Sequence, residues 1–145
     1  MTAVVFIGHS DCHGLSKELL KNAILACIRH GVVEFYNGGQ GGFDRLCART
    51  VFELKSQYPY IRNTLVIPYL SFRIFDRGLF DNILFPEELE YVHFKGAIPA
   101  RNRYMVKKAD AAVCYIDHTW GNAAKTYAFA QRHGLWIQNI AQALT

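Results

Sequence analysis

Phe35-Tyr36-Asn37-Gly38-Gly39-Gln40-Gly41-Gly42-Phe43-Asp44 decides how this chain is read. Four glycines fall within positions 38–42, after a β-like run (Val32 to Tyr36) and before a helix-like run. A strand, a glycine turn and a helix start in that order make a place where backbone N–H groups approach an anion closely. Phosphate, and with it a nucleotide-like ligand, is the first expectation. The loop matches neither G-x-G-x-x-G with an acidic residue on the next strand nor a P-loop, since no G-K-[ST] follows. Asp44 either caps the helix or accepts a ribose hydroxyl.

Outward from this loop, short apolar runs alternate with helical patterns. Ala3 to Ile7 is continuously apolar, as in a strand buried on both faces. Leu15, Leu19, Leu20, Ala23, Ile24, Cys27 and Ile28 recur at helical spacing, and Gly31 is a C-cap signal. Leu46, Cys47, Thr50, Val51 and Leu54 mark a second helix that ends before Tyr58-Pro59. Thr64 to Ile67 is a third strand, stopped by Pro68. Tyr69 to Asn82 has no clean period and reads as an excursion able to cover a ligand. Glu88 to Phe94 is expected to form a short fourth strand. Ile98 to Ala109 is a helix with Pro99 in its first turn. Ala111 to Ile116, Asn122 to His133 and Leu135 to Ile140 complete the pattern as strand, helix and strand.

Strands alternating with helices predict an α/β fold, a Rossmann-like three-layer sandwich with a mostly parallel sheet. A chain of 145 residues is expected to form a single domain over 1–145. In such folds the ligand sits beyond the carboxyl ends of the strands. Loops 8–14, 37–44, 68–82 and 117–122 leave strand ends and are expected to converge on one crevice.

Composition narrows the partners. The net charge of +4 suits an anionic ligand but lacks the Lys/Arg clustering of a dedicated nucleic-acid binder, so nucleic acid is not the expected partner. Cys12, Cys27, Cys47 and Cys114 form no C-x-x-C pair and read as small hydrophobes in a reducing compartment. The N-terminus has no basic region of the signal-peptide kind, and no apolar run reaches membrane-spanning length. A cytoplasmic protein with no membrane partner is expected.

The crevice loops supply the candidate residues. In the first, His9 and His13 flank Asp11 and Cys12. A pair of histidines four apart binds metal well on a helix, and glycines bracket this segment, so no metal and no other cofactor is expected. Ligand contact by His9, Ser10 and nearby amides competes with a plain connection in which Asp11 or Ser16 caps the helix. From the second loop come Gly38, Gly39, Gly41, Gly42, Phe43 and Asp44, and from the third Pro68 and Tyr69. Arg101 and Asn102, in the first half of their helix, offer donors to phosphate or ribose. The last loop opens a helix at Gly121, Asn122 and Ala123, a second natural phosphate seat. Asp117 can bond a ribose, and Trp120 can stack on a base or close the core rim. Neither Ser10 nor Cys12 sits in an activating motif, and there is no G-x-S-x-G elbow.

Several of these segments, taken in order, resemble the SLOG superfamily and its YpsA-like branch. They are Gly8-His9-Ser10, Gly38-Gly39-x-Gly41-Gly42-Phe43-Asp44, Tyr58-Pro59, Leu65-Val66-Ile67-Pro68-Tyr69, Arg101 to Val106, Ala109-Asp110 and Thr126 to Ala130. The resemblance implies a Rossmann-like domain that binds nucleotides or molecules derived from them. Related domains sense ADP-ribose-type signals or, as Lonely-Guy phosphoribohydrolases, release cytokinin bases; a distant DNA-processing branch shares the fold. Gly39, Gly41, Gly42, Asp44, Arg101, Asn102 and the turn at Gly121 carry over. Where the branch has G-G-T this chain has Gly121-Asn122-Ala123, and Thr126 stands where the Lonely-Guy pattern has its catalytic glutamate. The arginine after the first histidine is also absent.

The expected function is therefore binding of a nucleotide-derived small molecule, an ADP-ribose-like or cyclic nucleotide signal, as a sensing or sequestering module. The alternatives are a nucleoside monophosphate glycosidase, which needs a replacement carboxylate such as Glu87 or Asp117, and a single-stranded DNA-binding module. Homo-oligomerisation is expected from the family resemblance and the many aromatics.

Overall fold

A computed structural model describes residues 1–141 of the chain, so the end of the unit expected over 1–145 lies outside the described residues. Six strands form one sheet: β1 (Ala3–Gly8), β2 (Glu34–Asn37), β3 (Arg62–Val66), β4 (Asn82–Leu84), β5 (Ala111–Tyr115) and β6 (Trp136–Asn139). Their order is β4-β3-β2-β1-β5-β6, and every neighbouring pair is parallel. This is the Rossmann-like α/β architecture that the alternating pattern predicts.

Four helices cover the sheet: α1 (Lys17–Arg29), α2 (Gly41–Leu54), α3 (Ala97–Lys108) and α4 (Asn122–Arg132). The period-two alternation of β1 and β5 sorts them into two layers. Val4, Phe6, Ala111, Val113 and Tyr115 face α1 and α2, meeting Leu20, Ile24, Cys47 and Val51. Val5, Ile7, Ala112 and Cys114 face the other way, toward Met105 and Val106 of α3 and Ala130 of α4. Both faces of the two central strands are covered, which is why these strands read as continuous apolar runs. Burial of this aliphatic surface, at about 25 cal/mol per Å², is the main force holding the layers together.

Local signals set the ends of the elements. Ser16 caps α1, its hydroxyl accepting from the Leu19 amide at 3.2 Å, and Gly31 follows the helix with φ +95°. Asp11 instead closes a small turn, accepting from the His13 amide. The helix α2 begins at Gly41, inside the glycine run rather than after it.

The expected strand over Glu88 to Phe94 does not form. That stretch makes 3-10 turns at Glu87–Leu89 and Phe94–Gly96, and the fourth strand is Asn82–Leu84. Three residues are too few to show an alternation. Their strand character comes from pairing with Thr64, Leu65 and Val66 of β3.

The sheet order places a topological switch point between β1 and β5. The chain runs outward from β1 through β2, β3 and β4, then crosses back to the other side of β1. The connections that leave the carboxyl ends of β1 and β5 therefore run to opposite faces of the sheet, to α1 and α4, and the crevice between them is where open α/β sheets hold ligands.

Candidate functional site

A cavity of about 390 Å³ opens at that switch point. Its size falls within the usual range for small-molecule sites, roughly 300–1,000 Å³. Three of the four expected loops meet in it: Gly8 to Asp11, then Gly38, Gln40 and Asp44, then His118 and Trp120 to Ala123. The helix α3 adds Arg101 and Asn102. The fourth loop stays away. Pro68 does not line the cavity, and Tyr69 packs on Phe72 and Phe94 at ring distances of 5.9 and 4.6 Å. That loop acts from behind, through the Phe72 ring lying 5.7 Å from the Arg101 guanidinium.

The glycine loop is built differently from an anion cradle. The Gly39 amide donates to the Asn37 side chain at 2.7 Å, the Gln40 amide to the Asp44 carboxylate at 2.9 Å, and the Gly42 amide to the Ser10 carbonyl at 2.8 Å. A Cβ on Gly41 would stand 2.6 Å from Ser10 Cα, and one on Gly42 would stand 2.6 Å from the Ser10 carbonyl oxygen. Residues 41 and 42 are glycines because the β1–α1 loop presses against the start of α2. The expectation that amides 39–43 form a phosphate seat is corrected at these three positions, since their donors serve the protein itself. Phe43 is also not a ligand contact. Its ring is fully buried against Phe6 and Tyr115, beneath Gly8.

The second helix mouth is open. Gly121, at φ +93°, precedes Asn122, and a Cβ there would meet nothing within 4 Å. Backbone direction, not crowding, requires glycine at this position. The first amides of α4 have no acceptor within the helix and lie at the cavity wall, where the helix dipole adds partial positive charge. Thr126, one turn in, also lines the cavity; its hydroxyl donates to the Asn122 carbonyl at 2.8 Å.

Arg101 is 1 % exposed and works as a strut. Its Nη1 donates to the Gly38 and Val66 carbonyls at 2.7 and 2.9 Å, Nη2 to Gln40 Oε1 at 2.6 Å, and Nε to Asn102 Oδ1 at 2.8 Å. Burial lowers its pKa to about 10, opposed by the nearby Asp44 charge. It stays cationic at neutral pH. With five N–H groups and four bonds drawn, it has little left to give a ligand directly. Gln40, the one residue other than glycine between positions 38 and 42, is a cavity residue that sequence reasoning missed.

Asp44 is buried yet reaches the cavity. Desolvation pushes its pKa up to about 7, partly offset by the Gln40 amide and by Arg101. It is the one carboxyl in the inner cavity poised near neutrality among the described residues. Glu87 lies elsewhere, in a shallow groove with Leu84, Pro86, Glu88 and Tyr104. Asp117 is turned toward two histidines: its Oδ1 is 2.7 Å from His118 Nδ1 and 3.7 Å from His9 Nε2.

The rings of His9 and His118 stack face to face, 3.4 Å between centroids, and Trp120 continues the stack at 4.1 Å from His118. Burial lowers the His9 pKa and the His118 charge adds to this, while Asp117 opposes it. His9 and His13 do not meet; His13 is exposed beside Asp11. No pattern in the sequence joins position 9 to position 118. Adjacency of β1 and β5 does.

Comparison with known proteins agrees with this geometry. The fold is a Rossmann-like α/β architecture with a cavity at its switch point, and the YpsA family model, described as the YspA SLOG family, matches residues 5–74. That match covers just under half of the chain, from β1 into the segment after β3. The chain is similar in fold to the protein TM1055, with 15% identity and a TM-score of 0.63 over 94% of this chain and 72% of that one. It is also similar to DNA processing protein A from Helicobacter pylori, which binds single-stranded DNA (16% identity, TM-score 0.65, 94% of this chain, 63% of that one). The DNA processing protein A of Streptococcus pneumoniae gives 15% identity and a TM-score of 0.67 over 94% of this chain. The chain spans 63% and 49% of the lengths of those two proteins. No curated protein matches the sequence. Among the described residues no helix is long and apolar enough to cross a membrane.

Proposed function

We propose that this chain binds a nucleotide-derived small molecule in the switch-point cavity, as a sensing or sequestering module. The observation that carries the reading is the open N-terminus of α4, with Asn122 and Ala123 amides on the wall of a 390 Å³ cavity. A phosphate seats there, with the Ser10 hydroxyl beside it. Asp44 and Asn102 face the same space and bond ribose hydroxyls. Trp120, 70 % exposed at the rim, offers its free face to a base. Arg101 contributes charge from the floor while holding the glycine loop in place.

A hydrolytic reading is supported by one observation. Asp44 is a cavity carboxyl with a pKa near 7, suited to general acid or base work on an N-glycosidic bond. It replaces in kind, not in position, the glutamate that Thr126 lacks. Self-association and a cytoplasmic setting belong to the same reading, supported by exposed Tyr91, Phe94 and Trp136 and by four unpaired cysteines.

Calorimetry of the folded chain against ADP-ribose, cyclic ADP-ribose isomers, common nucleotides and a short single-stranded oligodeoxynucleotide tests this. Saturable binding of a nucleotide-type ligand is expected, and free base in the same mixtures identifies the hydrolase. Binding of the oligonucleotide alone, with a steep salt dependence, favours the DNA-binding alternative. Heat-silent titrations with all of them reject the proposal.

A further inference from the structure

The end of β1 and the loop after β5 bring together two imidazoles and a carboxylate that no local pattern connects. His9, His118 and Asp117 each offer one ligand atom within 4.8 Å of the others, and Asp117 Oδ1 is 3.7 Å from His9 Nε2 and 2.7 Å from His118 Nδ1. His9 is 5 % exposed, and its Nε2 has no hydrogen-bond partner among the described residues although the residue fronts the cavity. Native proteins seldom leave a buried polar atom unpaired, and such an atom calls for a partner from outside the chain.

We propose that His9 Nε2, His118 Nδ1 and Asp117 Oδ1 form a binding site for a divalent transition-metal ion at the cavity wall. Two imidazoles and one carboxylate suit zinc and the neighbouring first-row ions, and leave further coordination positions free. His9 and His118 line the same cavity as the first residues of α4, so an anionic oxygen of a molecule bound there can complete the shell. The site stands on these three residues and does not depend on which ligand the cavity takes.

The present ring arrangement sets a condition. An imidazole binds a metal in its own plane, and the two rings lie nearly parallel at 12°. They cannot share an ion while stacked. His9 is held by burial, so His118 must turn. It sits on the loop that also carries half-exposed Asp117, and among the described residues its ring bonds to that carboxylate alone. The ion replaces this hydrogen bond and parts the stack. Trp120 rests on His118, so its surroundings change as well.

Cobalt titration of the full chain after chelator treatment tests the site, followed by visible absorption and by tryptophan fluorescence. One equivalent of Co²⁺ is expected to give ligand-field bands and a change in fluorescence; excess Zn²⁺ should abolish the bands, and a chelator should reverse both. His118→Gln and Asp117→Asn, which alter an accessible loop, should each weaken binding by at least about 10- to 100-fold, the scale seen when metal-site partners are removed. His9→Gln should do the same. His13→Gln, altering the exposed pair with Asp11, should leave affinity unchanged. Absence of stoichiometric binding by the wild-type chain overturns the proposal. So does equal affinity in folded His118→Gln and Asp117→Asn, or loss of binding on His13→Gln.

Discussion

The Arg101 guanidinium donates to the Gly38 carbonyl at 2.7 Å, and this bond ties α3 to the glycine loop across 63 residues of chain. Three further bonds from the same group reach Val66, Gln40 and Asn102. The cavity floor is thus one polar network organised by a single buried cation. Four acceptors would lose their partner if it were removed.

Arg101→Met should therefore destabilise the protein by about 3–5 kcal/mol, the usual scale for removing one member of a buried charged network. Arg101→Lys should recover only part of this, because one ammonium cannot span acceptors that a planar fork reaches from three nitrogens. Urea unfolding followed by circular dichroism measures both. A loss under about 1 kcal/mol for the methionine variant would show that the network does not hold the floor.

Asp44 gives stability a sign that most carboxylates do not. Its folded pKa of about 7 exceeds the ordinary value of 3.8, so between those values the folded chain holds a proton that the unfolded chain releases. Stability then falls as pH rises through this window, by at most about 1.4 kcal/mol per pH unit from this group. Asp44→Asn keeps an oxygen for the Gln40 amide and should flatten that part of the profile. Denaturation series from pH 4 to pH 8 on both proteins check it; identical slopes would contradict the assignment.

Trp120 separates binding from folding. Being exposed, it contributes little to the core, and Trp120→Ala should leave the melting temperature nearly unchanged. If a base stacks on it, nucleotide affinity should drop by about 10- to 100-fold, since stacking contributes about 1–3 kcal/mol per base. Paired calorimetry and thermal melts decide between a stacking platform and a bystander.

Two glycines should respond differently to alanine. At Gly41 a Cβ meets Ser10 and φ is +85°, so crowding and backbone strain add; at Gly121, with φ +93° and open space, only strain remains. Gly121→Ala should cost about 1–2 kcal/mol. Gly41→Ala should cost more, about 2–4 kcal/mol, because the neighbouring loop must move. Chemical denaturation of the two variants ranks them, and the reverse order would mean that the Ser10 contact yields easily.

Much of the architecture was legible in the order of residues. The apolar runs at Ala3–Ile7 and Ala111–Ile116 and the helical spacing from Leu15 to Ile28 each reflect a side-chain period that matches one local geometry. Asn82–Leu84 escaped because its pairing is supplied by β3. Glu88–Phe94 carries β-like residue types but is taken up by 3-10 turns at its two ends. The open turn at Gly121 and the cavity positions of Arg101 and Asn102 were visible as candidates, since helix starts after strands point toward the carboxyl edge.

Local chemistry thus fixes which segments become strands and helices, and so the fold class and the edge of the sheet at which the loops gather. It leaves open what each polar group faces once the layers close. The glycine run advertises free amides, and folding spends three of them on Asn37, Asp44 and Ser10. Spacing pairs His9 with His13, but His9 stacks on His118 because β1 and β5 are neighbours in the sheet. Hydrogen-bond partners and burial depend on distances across the sheet, and those distances exist only when the whole chain has folded.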